Sequence, residues 1–193
     1  MAASRTMILL DPDLDFYPIK GATALVSPHT ERKGRMPSAR ALSRFLVEAQ
    51  AAVRLRGAVS VLLTTDREIR RLNRTFRGKN KATDVLSFSA AKPSQVPKAG
   101  PGAPAASQRV SGDLAISVET ARRQAVEQGH ALVVEVKVLM LHGLLHLAGY
   151  DHETDDGQMA RRERVLRAKL GLPSGLIERA GVAIAGLGKA RRA

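Results

Sequence analysis

Leu132-Val-Val-Glu-Val-Lys-Val-Leu-Met-Leu-His-Gly-Leu-Leu-His-Leu147 is the segment around which this chain has to fold. Its residues are apolar nearly all the way round a helix, and this pattern predicts a central, buried helix. The rest of the chain must then pack around it. The segment continues through Ala148 to His152, and its C-terminal part carries three histidines.

Three histidines, His142, His146 and His152, mark the end of this segment. Residues four apart share one helical face, and Gly149 can supply the left-handed turn that brings His152 back to the other two. Imidazoles buried without partners are costly, and a metal ion removes that penalty by using their lone pairs. Three ligands with no fourth in the run indicate an open catalytic zinc site, with one ion per chain. Nickel, copper and iron also suit three imidazoles.

The histidine spacing equals that of the metzincin proteases, His-Glu-x-x-His-x-x-Gly-x-x-His, with one difference. Gly143 stands where those enzymes carry the glutamate that acts as general base. Hydrolysis of a peptide by a zinc-bound water needs such a carboxylate. Asp151 offers one, but we favour an orienting or loop-capping role for it. Because of the shared spacing, a metzincin-like metalloprotease is a second hypothesis, although Gly143 argues against it.

The composition favours one basic domain that binds polyanions. The 193 residues carry 31 Lys and Arg against 18 Asp and Glu, for a net charge of +13. With 3% aromatic residues, the attraction should be to phosphates more than to stacked bases. No cysteine is present, which excludes disulfides and thiolate ligands. The apolar run Met7–Leu10 is too short for a signal or membrane segment, so we expect a cytoplasmic enzyme without a membrane partner.

Hydrophobic periodicity predicts four strands and about five helices. The strands are expected over Met7–Leu10 (at an edge), Val59–Thr64, Val85–Ser89 and Gly112–Ser117, and the helices over Ala39–Leu55, Arg67–Phe76, Val118–Gln128, Leu132–Leu147 and from Asp155 or Asp156 onward. Ser38 and Asp66 are expected N-caps, and Gly57 is expected to end the first helix. Ile69, Leu72 and Phe76 should face inward, as should Val165 in the last helix. The result is an α+β single domain, a four-stranded mixed sheet packed with about five helices, with the metal-binding helix central.

Three segments have no clear periodicity. Residues 11–37 are expected to form a long irregular connection, and residues 90–107, rich in Ala, Pro, Ser, Gly and Lys, a flexible insertion. Residues 174–193 are expected to form a weakly ordered basic tail. The predicted domain therefore spans residues 1–173.

Three motifs in this order resemble the bacterial YbeY family of rRNA maturation endoribonucleases. They are Leu72-Asn-Arg-Thr-Phe-Arg-Gly-Lys-Asn-Lys-Ala-Thr-Asp-Val-Leu-Ser-Phe88, Gly112-Asp-Leu-Ala-Ile116 and the histidine run His142–His152. The resemblance implies a zinc-dependent, single-strand-specific endoribonuclease that matures the 3′ end of small-subunit rRNA and acts in ribosome quality control. The implied partners are the small ribosomal subunit and an Era-type GTPase. The implied metal ligands are His142, His146 and His152.

The same resemblance places the family's functionally important arginine at Arg77. Its planar fork suits a phosphate, whereas Lys79 and Lys81 are better suited to following the RNA backbone. Four polar residues near the site are expected either to orient Arg77 or a histidine, or to cap the turn: Thr83, Asp84, Ser87 and Asp113. The connection 11–37, the insertion 90–107 and the extended tail depart from the family pattern.

The nucleophile stays open on the sequence alone. A zinc-bound water can attack the phosphodiester, or the metal can polarise a phosphate oxygen while the ribose 2′-hydroxyl attacks. A third hypothesis is a non-catalytic ribosome assembly factor in which zinc only stabilises the fold.

Overall fold

Four strands form one mixed sheet in the computed structural model, which describes residues 7–16, 38–90, 110–152 and 154–173. The strands β1 (Met7–Leu10), β2 (Ala58–Thr64), β3 (Val85–Ser89) and β4 (Val110–Ser117) are arranged in the order β1-β2-β4-β3. β1, β2 and β4 are parallel, and β3 is antiparallel to β4. The predicted mixed sheet is confirmed, with β1 at an edge.

Five α-helices pack with this sheet in the described ranges, as predicted. They are α1 (Ala39–Val53), α2 (Asp66–Arg77), α3 (Val118–Glu127), α4 (Leu132–Leu147) and α5 (Gln158–Lys169), and a short 3-10 helix spans Pro12–Phe16. The α+β single-domain class is therefore confirmed. Arg77 is the last residue of α2 rather than part of the following loop.

The central helix α4 packs between one face of the sheet and the helices α1, α3 and α5, and nearly its whole circumference is apolar, as such a position requires. Its leucines, among them Leu139 and Leu144, are fully buried and pack in one core with Leu42 and Leu46 of α1. The inner face of β4 contributes Leu114 and Ile116 to the same core, and α3 and α5 add further apolar residues. The metal-binding helix is thus central, as the sequence predicted.

The opposite face of the sheet carries α2. A small cluster of Ile69, Leu86 and Ala115 is buried there, with Leu72 and Phe88 packed against it. The prediction that Phe76 faces inward is wrong, because its side chain is 65% exposed. Phe76 lies on the last turn of α2, at the margin of this packing, and its ring meets that of Phe88 in an edge-to-face arrangement. Val165 of α5 is also exposed, against the prediction.

Two predicted helix ends differ from the structure. Thr65, not Asp66, is the N-cap of α2, and its hydroxyl accepts a hydrogen bond from the Glu68 amide. Arg54 in a left-handed conformation, not Gly57, ends α1 because its amide reaches the Ala51 carbonyl. Ser38 caps α1 as predicted.

The start of α5 also differs from its prediction, since the helix begins at Gln158. The Asp155 carboxylate accepts a hydrogen bond from the Met159 amide, so it caps the helix from outside. Gly157, with a φ of +76°, makes the turn between them.

Several predictions fall on residues outside the described ranges. These are most of the connection 11–37, the insertion 90–107 apart from Ala90, and the tail 174–193. Among the described helices, none alone has the length and apolar character to cross a membrane, and only α3 and α4 together, bent by 113°, meet both conditions.

Candidate metal centre and catalytic cleft

The three predicted histidines converge on one point at the C-terminal end of α4. One imidazole nitrogen from each of His142, His146 and His152 lies within 4.8 Å of the others. His142 is buried, His146 is half-buried and His152 is exposed, so the group opens toward solvent on one side. The three residues therefore form a group that can hold a metal ion.

The turn after α4 brings His152 to the other two rings. Gly149 has a φ of +93°, the left-handed conformation that the sequence predicted for it. Its amide donates to the His146 carbonyl, and the Tyr150 amide donates to the Leu145 carbonyl. These two hydrogen bonds close the helix while the chain reverses, and they fix where His152 begins its return.

Glu163 of α5 orients the first histidine, and the sequence reading missed this residue. Its Oε2 atom lies 3.2 Å from Nδ1 of His142, and both groups are buried. Arg167, one turn further along α5, donates from Nε to Oε1 of Glu163 at 2.7 Å. The signal was present in the sequence: a glutamate and an arginine four residues apart on the side of α5 that also carries Met159 and Leu166.

This contact determines which nitrogen of His142 is available to a metal. If Nδ1 carries the proton that Glu163 accepts, the lone pair of His142 is on Nε2. That Nε2 atom lies 3.2 Å from Nε2 of His146. Two imidazole nitrogens bound tetrahedrally to one zinc ion at about 2.0–2.1 Å lie roughly 3.3 Å apart. The spacing of this pair and the chemistry of the three imidazoles therefore fit a zinc ion, whereas the whole group of donor atoms extends over as much as 4.8 Å.

The local electrostatics favour a neutral His146 and an ionised Glu163. Burial lowers the pKa of His146, and nearby His142 and His152 lower it further, so its imidazole is neutral at neutral pH. Burial alone would raise the pKa of Glu163. Its hydrogen bond with His142 and the charge of Arg167 outweigh burial and bring that pKa to about 2. The carboxylate is therefore ionised and can polarise the His142 ring.

A cleft of about 540 Å³ joins the three histidines to the loop after α2. Arg77 lines its opposite side, together with Thr83, Asp84 and Ser87. Within the described part of the chain, the exposed guanidinium of Arg77 has no hydrogen-bond or ion-pair partner. An exposed guanidinium at the lining of the cleft can bind an anion there.

The neighbouring loop is held in place by one buried side chain. Asn73, which the sequence reading did not single out, donates from Nδ2 to the Lys81 carbonyl, and its own carbonyl accepts from the Lys79 amide. Lys79 and Lys81 are both exposed, and their side chains do not line the cleft. The structure therefore brings Arg77 to the histidines but not the two lysines.

The sequence did not decide whether four polar residues orient the site or cap the turn, and the structure gives them different surroundings: Thr83, Asp84, Ser87 and Asp113. The Asp84 carboxylate accepts from the Val85 amide, from Thr83 and from Gln124, which is a turn-capping arrangement. The Ser87 hydroxyl lies against the Gly143 carbonyl at 3.4 Å. Asp113 is exposed outside the cleft.

Asp151 lines the cleft beside His152, and its carboxylate accepts a hydrogen bond from the Thr154 hydroxyl. Its carbonyl accepts from the amides of Thr154 and Asp155. These contacts match the loop-capping role that we favoured for it.

Comparison with known proteins identifies the family. The family model described as Endoribonuclease YbeY matches residues 30–171, a range that contains all three histidines, Arg77 and Glu163. The chain belongs to the YbeY family. The YbeY endoribonuclease of Solibacter usitatus is 51% identical over 139 residues, covering 72% of this chain and 84% of the relative. That of Koribacter versatilis is 49% identical over 142 residues, covering 74% and 84%. The predicted family resemblance is confirmed.

A solution structure of a Thermotoga maritima protein is also similar to this YbeY chain. Its sequence is 26% identical, the alignment covers 70% of this chain and 85% of the other, and the TM-score is 0.46.

Gly143 has a packing role in this YbeY protein that explains why no glutamate can stand there. A Cβ atom at this position would lie 2.7 Å from Cδ2 of Leu114 and 3.3 Å from the Ser87 hydroxyl. The position therefore faces the sheet and not the cleft, and α4 approaches β4 closely because it has no side chain here. A general base of the metzincin kind has no space at this position.

Proposed function

We propose that this chain is a metal-dependent, single-strand-specific endoribonuclease. The observation that carries the proposal is that three imidazoles able to hold a metal and an exposed arginine, Arg77, line the same cleft. Phosphodiester cleavage needs both an activated oxygen nucleophile and a cation at the phosphate. Membership of the YbeY family, whose curated relatives are named endoribonucleases, supports this assignment.

His142, His146 and His152 would hold the metal, and we propose zinc at one ion per chain, since three neutral imidazoles with an open position suit it. Nickel, copper and iron also suit three imidazole ligands. When bound, such an ion supplies an activated water or polarises a phosphate oxygen. Glu163 holds the His142 ring in place through its contact with Nδ1.

Arg77 binds the scissile phosphate in this proposal. Its guanidinium donates two parallel hydrogen bonds to phosphate oxygens and keeps its charge at any physiological pH. Because negative charge grows on those oxygens in the transition state, the contact is stronger there than in the bound substrate. Lys79 and Lys81 follow the RNA backbone outside the cleft and add affinity that depends on salt.

The substrate we propose is the precursor of small-subunit rRNA at its 3′ end, with a further role in ribosome quality control. The proposed partners are the small ribosomal subunit and an Era-type GTPase, and the proposed location is the cytoplasm. The net charge of +13 favours binding to the rRNA of the small subunit, which is a polyanion. The catalytic domain is proposed to span residues 1–173, followed by the basic tail 174–193.

Cleavage of a defined rRNA precursor tests the proposal, with product ends mapped and zinc content measured in each variant. Arg77→Ala should retain zinc and lose about 100-fold or more in kcat, comparable to losing an oxyanion-hole donor. Arg44→Ala, an exposed arginine on α1 that does not line the cleft, is the matched control. His146→Ala should lose both zinc and cleavage. Cleavage that survives in both Arg77→Ala and His146→Ala comes from a contaminating nuclease and removes the enzyme assignment.

Mapped product ends also distinguish the two nucleophiles. A 2′,3′-cyclic phosphate on the upstream product indicates attack by the ribose 2′-hydroxyl. A 3′-hydroxyl with a 5′-phosphate on the downstream product indicates attack by water.

The assembly-factor hypothesis makes the opposite prediction for Arg77. If zinc only stabilises the fold, Arg77→Ala keeps full biological activity and removal of the metal unfolds the domain. Proteolysis of an unfolded protein substrate that is lost in His142→Ala would support the metalloprotease hypothesis, against which the packing of Gly143 argues.

A further inference from the structure

A second groove runs along the face of the sheet that carries α2. Its volume is about 750 Å³, and its floor includes Ser60 of β2, Asp113 of β4 and Phe88 of β3. Strand register pairs Ser60 with Asp113, and Asp113 with Phe88, so these three residues form one row across the sheet. Phe76 of α2 lies at the end of the row, with its ring centroid 5.2 Å from that of Phe88.

This groove is continuous with the metal cleft. Arg77, Ser87 and Ser89 line both of them. Phe76 immediately precedes Arg77 at the end of α2, and both residues line this groove, so a strand whose phosphate contacts Arg77 passes within the same groove as Phe76. An RNA strand that contacts Arg77 in the cleft therefore reaches residues that also line the groove.

The chemistry of the groove suits nucleobases more than phosphates. Phe76 is 65% exposed in a chain with only 3% aromatic residues, and it is tilted 66° against Phe88, which supports it from one side. Bases stack on exposed aromatic faces largely without regard to sequence. The exposed Asp113 carboxylate repels phosphates but accepts hydrogen bonds from base amino groups.

We propose that this groove binds the unpaired bases next to the cleaved phosphodiester, with Phe76 as their stacking platform. The inference rests on the proposed function and extends it, because it places a base-binding subsite beside the phosphate bound by Arg77. It also gives a physical reason for single-strand specificity, since paired bases within a duplex cannot present a face to Phe76.

Single-turnover and steady-state cleavage of a labelled 14-nucleotide single-stranded RNA test the inference. A series of the same RNA carries one abasic nucleotide at each of three positions on either side of the cleaved bond. In the wild-type protein, one or two abasic positions on the same side should raise KM roughly 10-fold. In Phe76→Ala, the intact RNA should show a similar rise, and those abasic positions should have no further effect.

Two further substitutions separate stacking from general apolar contact. Phe76→Trp should keep the wild-type KM, whereas Phe76→Leu should behave like Phe76→Ala. Val126→Ala changes another exposed apolar side chain, which lines neither the groove nor the cleft, and should leave KM unchanged. Because the abasic series is also measured on the wild-type protein, the inference can be tested even if a variant folds poorly.

The inference is wrong if Phe76→Ala retains the wild-type KM and the abasic effects are unchanged. A shift from dimer to monomer in Phe76→Ala, with KM unchanged, would assign the groove to a second copy of the chain instead. A fall in the melting temperature of Phe76→Ala with KM unchanged would mean that Phe76 serves packing within the chain and not RNA binding. Failure of the wild-type protein to cut any RNA overturns the proposed function. The Kd values of the same RNAs for wild type and Phe76→Ala then test base binding in the groove independently of cleavage.

Discussion

The Nδ1 atom of His142 lies 3.2 Å from Oε2 of Glu163, which ties the last helix of the domain to its central helix at the candidate metal centre. The carboxylate is 1% exposed and shares its second oxygen with Arg167. A buried charge of this kind persists only when every partner is in place. Metal binding at α4, as proposed, would therefore be coupled to the docking of α5.

Glu163→Gln should weaken zinc binding about 10- to 100-fold, because a neutral amide is a poorer acceptor for the His142 ring proton. Competition with a chromophoric chelator measures the Kd. Glu127→Gln, at the exposed end of α3, is the control. A zinc Kd equal to that of the wild type would show that Glu163 serves the packing of α5 alone.

Arg167→Met should destabilise the fold by about 3–5 kcal/mol, because it removes a guanidinium from a buried carboxylate. Urea denaturation of the zinc-free protein measures the free energy of unfolding, with the exposed Arg44→Met as control. The double variant Glu163→Leu/Arg167→Met should regain most of that stability, since no buried charge is left. The double variant should still bind zinc more weakly than the wild type, because it lacks the Glu163 carboxylate. A double variant with wild-type stability and wild-type zinc affinity would contradict the orienting role of Glu163.

The histidine cluster could be predicted from the sequence because its geometry is local. His142 and His146 share a helical face by spacing alone, and the turn at Gly149 needs no distant contact. Glu163 lies 21 residues from His142 in the sequence, and only the docking of α5 brings them together. Helical periodicity gave the buried face of α1 correctly. It failed at Phe76, which is exposed. The hydrophobic period identifies the face of a helix that packs inward, but it does not show at which residue the sheet beneath that face ends.

Acid should weaken the junction between α2 and α3 through Asp66. Burial raises the pKa of this carboxyl, but hydrogen bonds from Ser117, Thr120 and Arg123 outweigh burial and lower the pKa below 3.8. A carboxyl with a lowered folded-state pKa stabilises the fold above the unfolded value, and the effect disappears as pH falls through the folded value.

The expected difference in stability between wild type and Asp66→Asn is about 1 kcal/mol at pH 6, since the group is partly exposed. It should begin to decline as the pH falls below 3.8, and it should disappear only once the pH has fallen through the lower folded-state pKa, where the wild-type carboxyl is also neutral. Urea denaturation at a series of pH values measures it, and the exposed Asp156→Asn is the control. A difference that is constant with pH would mean that the charge of Asp66 contributes nothing.

Gly143→Ala should destabilise the protein although alanine is the better helix former by about 1 kcal/mol. The new methyl group would lie 2.7 and 3.1 Å from the two terminal carbons of Leu114, in a core where α4 meets the sheet. Overpacking of this kind costs about 1–3 kcal/mol, which outweighs the gain in helix propensity. In a Leu114→Ala background the same substitution should become neutral or stabilising, because the space it needs is then empty. Urea denaturation of the four proteins gives the coupling between the two sites, and equal effects of Gly143→Ala in both backgrounds would show that Leu114 does not limit the approach of α4.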